Sequence, residues 1–166
     1  MHIDFEKIWQ SNIAQFTLSD FSFHGPKHWR QVESNGLQLA HRNGAKQYLV
    51  RLFAVYHDAK RENEGYDPEH GYRAAELALS DHGTLFSLNE QDLEDLVYAL
   101  RLHNGGQTSK DLTIGTCWDA DRMDLPRVGA KVDADYMSTK LGKAYAVHGQ
   151  RVFDDGEEPG SSERPK

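Results

Sequence analysis

The sequence predicts an all-α fold. Apolar residues recur at the i, i+3, i+4 spacing of helices in several segments, alternating strand patterns are few, and segment ends carry helix punctuation such as Gly25-Pro26 and Asn43-Gly44. With 166 residues and 18.9 kDa, the chain fits one domain of the usual ~100–200 residues with room for a packed core. The expected organisation is a single helical domain over residues 1–153, followed by a tail over 154–166.

Taken in order, residues 4–16 carry Phe5, Ile8, Trp9, Ile13 and Phe16 on one face, which predicts a short amphipathic helix. Pro26 suits the first position of a second helix because its missing N–H has no helical partner there. That helix runs to about Arg42, turns Trp29, Val32, Leu39 and Ala40 inward, and holds Gly36 as a weak point. Residues 45–61 are apolar on nearly all sides, as a central buried helix requires, and put His57 and Asp58 at its C-terminal end. Asp67 and Pro68 predict the cap and first residue of the next helix, with His70 in its first turn. Ser87 and Glu90 read as a capping box ahead of the stripe Leu93, Leu96, Val97 and Leu100, which ends at His103-Asn104-Gly105-Gly106. A last core helix is expected from about Ile114 to Leu125, stopped by Pro126, and a weaker one over 133–147. Beyond Asp154 the chain is acidic, polar and rich in breakers, with nothing to bury, which predicts disorder.

Composition excludes several classes of function. No run reaches the ~18–20 apolar residues of a membrane span, and Met1-His2-Ile3-Asp4-Phe5-Glu6 lacks the pattern of a secretory signal, so the expected address is cytoplasmic. Cys117 is the only cysteine, which rules out an internal disulfide and a thiolate zinc knuckle. A net charge of −7 opposes binding to long nucleic acid or an anionic membrane.

Histidine stands out, with nine in the chain, seven of them between residues 24 and 103. The His57-Asp58 doublet ends a helix apolar enough to be buried, where two ionisable neighbours are costly to desolvate unless matched by a cation or by hydrogen-bond partners. Adjacent helical residues point ~100° apart with a ~1.5 Å rise, so both side chains can reach one ion off the helix end. His28 and Asp121 on other helices are further candidates. His2, His41, His82 and His148 are expected on solvated surface, His24 in a loop beside the site, and Asp119 and Asp124 in orienting roles.

The series His28, then Phe53-Ala54-Val55-Tyr56-His57-Asp58, then Asp119-Ala120-Asp121-Arg122-Met123 resembles the HD-domain superfamily of metal-dependent phosphohydrolases. His70-Gly71-Tyr72-Arg73-Ala74-Ala75 and Leu102-His103-Asn104 are similar to its intermediate segments, and the likeness spans about residues 24–130. The resemblance implies an HD-domain-like helical bundle with His28, His57, Asp58 and Asp121 as metal ligands. Asn104 stands where binuclear members carry a second histidine, so one ion is expected and a second is allowed. Such a donor set suits Mn, Fe, Co, Ni or Zn, and Mg less well. The implied activity is hydrolysis of a small phosphate ester, a nucleotide or related metabolite, as a phosphomonoesterase or phosphodiesterase. Asp58, His70 and His103 would act near the reaction, with Arg61 and Arg73 clamping phosphate. Two rivals are a di-iron oxygenase on the same scaffold and a metal- or ligand-binding module without turnover.

Overall fold

Caps and helix ends are where the sequence first becomes structure in the computed structural model, which describes residues 2–154. The Asp4 carboxylate accepts the Lys7 N–H and opens α1 (Phe5–Gln15), which buries Ile8 and Trp9 and leaves Ile13 half exposed. Pro26 begins α2 (Pro26–Asn43), and Gly44 closes it in the left-handed region at φ 83°, returning its N–H to Ala40. Gly36 is not a weak point: a Cβ there would overlap Val50 Cγ1, so its bare backbone lets α2 lie close on the next helix.

That next helix, α3 (Gln47–Tyr56), buries every residue from Leu52 to Tyr56 together with Leu49 and Val50. It is the central rod, packed by α1, α2, α4 (His70–Asp81), α5 (Glu90–Leu102) and α6 (Leu112–Arg122). It is shorter than the expected 45–61 because the chain turns sharply after it, with the Ala59 N–H on the Tyr56 carbonyl and the Arg61 N–H on Asp58. The next helix starts at His70, later than expected, because Asp67 is drawn to the Arg73 guanidinium and the Glu62 N–H instead of capping. Asn89, and not Ser87, caps α5 by accepting the Asp92 N–H. Ser87 belongs to a two-residue strand, β2 (Phe86–Ser87), paired antiparallel with β1 (His2–Ile3).

Asp111 caps α6, which ends at Arg122, and a 3-10 turn containing Pro126 follows. The weaker segment over 133–147 resolves into a 3-10 turn, Ala134–Tyr136, and α7 (Lys140–His148), opened by Thr139. Among the described residues Phe153 is the last buried side chain, against Tyr145 and beneath Arg42. The tail expected over 154–166 falls, but for Asp154, outside the described residues. The architecture is therefore an all-α bundle around α3, and no helix is long and apolar enough to cross a membrane.

Candidate metal centre

The ends of five helices meet on one side of the bundle, each bringing one or two of the expected side chains. His28 lies in the first turn of α2, His57 and Asp58 follow α3, His70 opens α4, His103 closes α5, and Asp121 sits in the last turn of α6. All but Asp121 are among the buried residues. Helix ends suit this role because a side chain there can leave the helix axis and meet others.

Each histidine has one ring nitrogen fixed by an acceptor. His57 Nδ1 is 2.9 Å from the Ala54 carbonyl, His103 Nδ1 is 2.7 Å from Leu100, and His70 Nδ1 is on the Asp67 carbonyl. His28 Nδ1 lies 2.7 Å from Asp124 Oδ2. A carbonyl or carboxylate oxygen only accepts, so Nδ1 carries a proton in all four and Nε2 faces the site, free to offer a lone pair wherever it is unprotonated. Carboxylate or carbonyl partners on the far ring nitrogen are the usual way a ligand histidine is held.

The four Nε2 atoms converge in two pairs, His28 and His57 at 3.0 Å and His70 and His103 at 2.8 Å. Two lone pairs at such distances repel unless a proton or a metal ion lies between them. Asp58 serves both pairs, with Oδ2 3.6 Å from His28 Nε2 and 3.7 Å from His57 Nε2, and Oδ1 3.2 Å from His70 Nε2 and 3.6 Å from His103 Nε2. Asp121 Oδ1 adds a second oxygen to the first pair, 3.1 Å from His28 and 3.6 Å from His57. Donors that share one ion at ~2.1 Å stand ~3.0–3.4 Å apart for right-angle to tetrahedral arrangements, so the spacing suits cation binding. Two buried groups could hold an ion: His28, His57 and Asp58, and Asp58, His70 and His103.

The electrostatics follow from the same contacts. Burial drives the His57 pKa down to about 4 despite the nearby Asp58 and Asp121 carboxylates, so this imidazole is neutral at pH 7. Burial also opposes charge on His28, but hydrogen bonds to Asp121 and Asp124 outweigh it and raise that pKa to about 9. For Asp58, burial works against the charged form and is overcome by His57 and by hydrogen bonds from His103, His24 and His70, which hold it well below the usual carboxylate range.

The expected surroundings are partly redrawn. His24 does stand beside the site, Nδ1 at 3.2 Å from Asp58 Oδ2, in a loop pinned by the Trp29 indole N–H on its carbonyl. Asp124 orients His28 as expected. Asp119 is buried and accepts the N–H groups of Ser138 and Thr139, so it fastens the chain before α7 and does not reach a ligand histidine. Arg61 is buried with its guanidinium on the carbonyls of Asn63 and Gly65, and Arg73 grips Asp67 and the Lys60 carbonyl. Both thus engage protein acceptors in the loop that positions His70. His82 is not solvated: its Nε2 accepts the Leu88 N–H.

Two buried asparagines went unnoticed in the sequence. Asn12 donates to the Val55 carbonyl, two residues before His57, and Asn35 donates to the Ala120 carbonyl, one residue before Asp121. Their signal was a polar residue on an apolar face, four beyond Ile8 and three beyond Val32. A pocket of about 430 Å³ opens on the cluster at His103 and Asp121, with Lys131, Asp133 and Tyr136 also in its lining. A scan against protein-family models and searches of the curated proteins and of the solved structures find no match to the chain.

Proposed function

We propose that this protein is a metal-dependent hydrolase of small phosphate esters, built on an HD-type helical bundle and holding two divalent ions. The observation that carries the reading is the sharing of Asp58 between two histidine pairs whose Nε2 atoms converge. His28, His57, Asp58 and Asp121 would hold one ion, and Asp58, His70 and His103 the other, which replaces the expectation of a single ion. Divalent ions bound there would offset phosphate charge and make water a better nucleophile near neutral pH.

The protein's own contribution is orientation and charge. Asp124 and three backbone carbonyls fix the imidazole rings before any ligand arrives, and Asp58 ties the two groups into one centre. Asn104, at the position expected of a second histidine, donates to the Pro68 carbonyl and braces the approach to α4, so His103 alone represents that segment. Two cations line the pocket beside Asp121: Arg122, whose guanidinium is held on the Tyr136 and Gln107 carbonyls, and Lys131, which makes no ion pair among the described residues. A cation there favours an anionic substrate over the oxygenase reading, and a pocket opening on the cluster favours turnover over simple ion storage.

The test is metal analysis of the purified protein, then a phosphate-ester panel with Mn, Co, Ni and Mg. Two ions per chain are expected in the wild type, one in His70→Ala or His103→Ala, and steep loss of both with activity in Asp58→Ala. One ion per chain in the wild type would remove the binuclear part, and no ester turned over with any metal would remove the hydrolase.

A further inference from the structure

The pocket beside the cluster is lined by residues of two kinds: His103 and Asp121 of the candidate centre, and Lys131, Asp133 and Tyr136, which lie outside it. Its volume of about 430 Å³ is near the small end of ligand pockets and fits one compact molecule, not a polymer.

Tyr136 is the aromatic side chain in this pocket: its residue is 54% exposed, and its hydrogen bonds run through its backbone. The Arg122 guanidinium donates to the Tyr136 carbonyl and to the Gln107 carbonyl, and so ties both segments to the helix that carries Asp121. Gly106 has φ +76°, and a Cβ there would lie 3.8 Å from Tyr136 Cε1. A side chain at 106 would be strained by that backbone angle, though its Cβ would meet the ring only at ordinary contact distance. The Tyr136 ring thus lines the pocket with more than half of its residue exposed.

We propose that Tyr136 is a stacking platform for the substrate's leaving group, so that the preferred substrate is a phosphomonoester of an alcohol bearing a planar ring. This rests on the phosphohydrolase reading. Aromatic faces bind flat rings tolerantly, and Lys131, which lines the same pocket, offsets the charge of the attached phosphate while the ring lies on Tyr136. Asp133, also in the lining, can accept from a substrate hydroxyl.

The experiment pairs ring esters, 4-nitrophenyl phosphate and adenosine 5′-monophosphate, with ringless ones, glycerol 3-phosphate and phosphoserine. The ratio of kcat/KM for ring over ringless esters should fall about ten-fold in Tyr136→Ala and be kept in Tyr136→Phe, with metal content unchanged. Calorimetry of adenosine 5′-monophosphate with the metal-loaded protein gives a second readout, about ten-fold weaker binding in Tyr136→Ala. An unchanged ratio overturns the platform even where ester hydrolysis is found. If no ester is hydrolysed but nucleotide binding depends on Tyr136, the hydrolase fails and the ring site stands; Tyr136-independent or absent binding then overturns both.

Discussion

Asp58 meets imidazole nitrogens on both of its oxygens, and the rings it meets are held from behind, so the centre depends on residues that touch no ion. Asp124 is the clearest of these. Its Oδ2 at 2.7 Å from His28 Nδ1 selects the tautomer that presents Nε2. Asp124→Ala should weaken metal binding by about 10–100-fold while leaving the fold intact, which metal titration with circular dichroism would check. An unchanged affinity would mean that packing alone fixes His28. At this scale the buried His-Asp doublet was legible as an arrangement that asks for a partner, whereas His28 and Asp121 were joined to it mainly through the resemblance to the HD-domain superfamily; the structure brings all four together. The roles of Arg61 and Arg73 were not, since a cation near a doublet in sequence can turn to loop carbonyls or to Asp67 just as readily. Tyr136 and Lys131 were equally hidden, because only the loop's path against Gly106 and Asp121 brings them to the mouth.

Among the elements, α4 and α5 are spaced by Gly71, next in sequence to His70. A Cβ at Gly71 would come 2.6 Å from the Leu100 carbonyl oxygen and 2.9 Å from that of Arg101, and backbone cannot swing aside as a side chain can. Gly71→Ala should therefore push the two helices apart, costing about 1–3 kcal/mol, and draw His70 away from His103. Denaturant unfolding and metal stoichiometry together check this, with loss of one ion expected beside the lower stability. A second joint ties the start of α3 to α5: buried Asp92 accepts from the Lys46 ammonium, the Tyr48 hydroxyl and the Asn89 amide. Burial opposes its charge, but these donors outweigh burial and lower its pKa. Since the folded value lies below the unfolded ~3.9, its contribution is complete above that pH and is lost as pH falls through the folded value. Asp92→Asn should flatten the acid limb of unfolding free energy against pH below about 4. An identical acid limb in the variant would remove Asp92 as its source. Helix positions were readable from apolar period and from Pro26 and Gly44. Helix ends at 56 and 70 were misjudged because long-range partners, the site itself and Arg73, overrode local capping.

Across the whole molecule, five helices spend their ends on one buried polar cluster, an arrangement that a bundle held by α3 alone does not require. Among its members are the Asp58 carboxylate and four imidazoles whose lone pairs face one another in pairs. Without a cation, protons must occupy those positions, as on His28, and the close pairs gain nothing from full neutrality. An ion that binds this assembled cluster and not the unfolded chain stabilises the fold by RT ln(1 + [L]/Kd), about 4 kcal/mol at a thousand-fold excess over Kd. Unfolding scatters ligands drawn from residues 28 to 121, so little of the site survives in the unfolded chain. Treatment with a chelator should accordingly lower Tm by roughly 8–16 °C, from about 2–4 °C for each of those ~4 kcal/mol in a domain of about this size, and added Mn or Zn should restore it. In His57→Ala the chelator-induced shift should shrink, because one group of donors is broken before the chelator acts. A Tm indifferent to chelator and metal in the wild type would mean that the cluster closes on protons alone, and that the convergence of helix ends is sustained by the apolar core around α3.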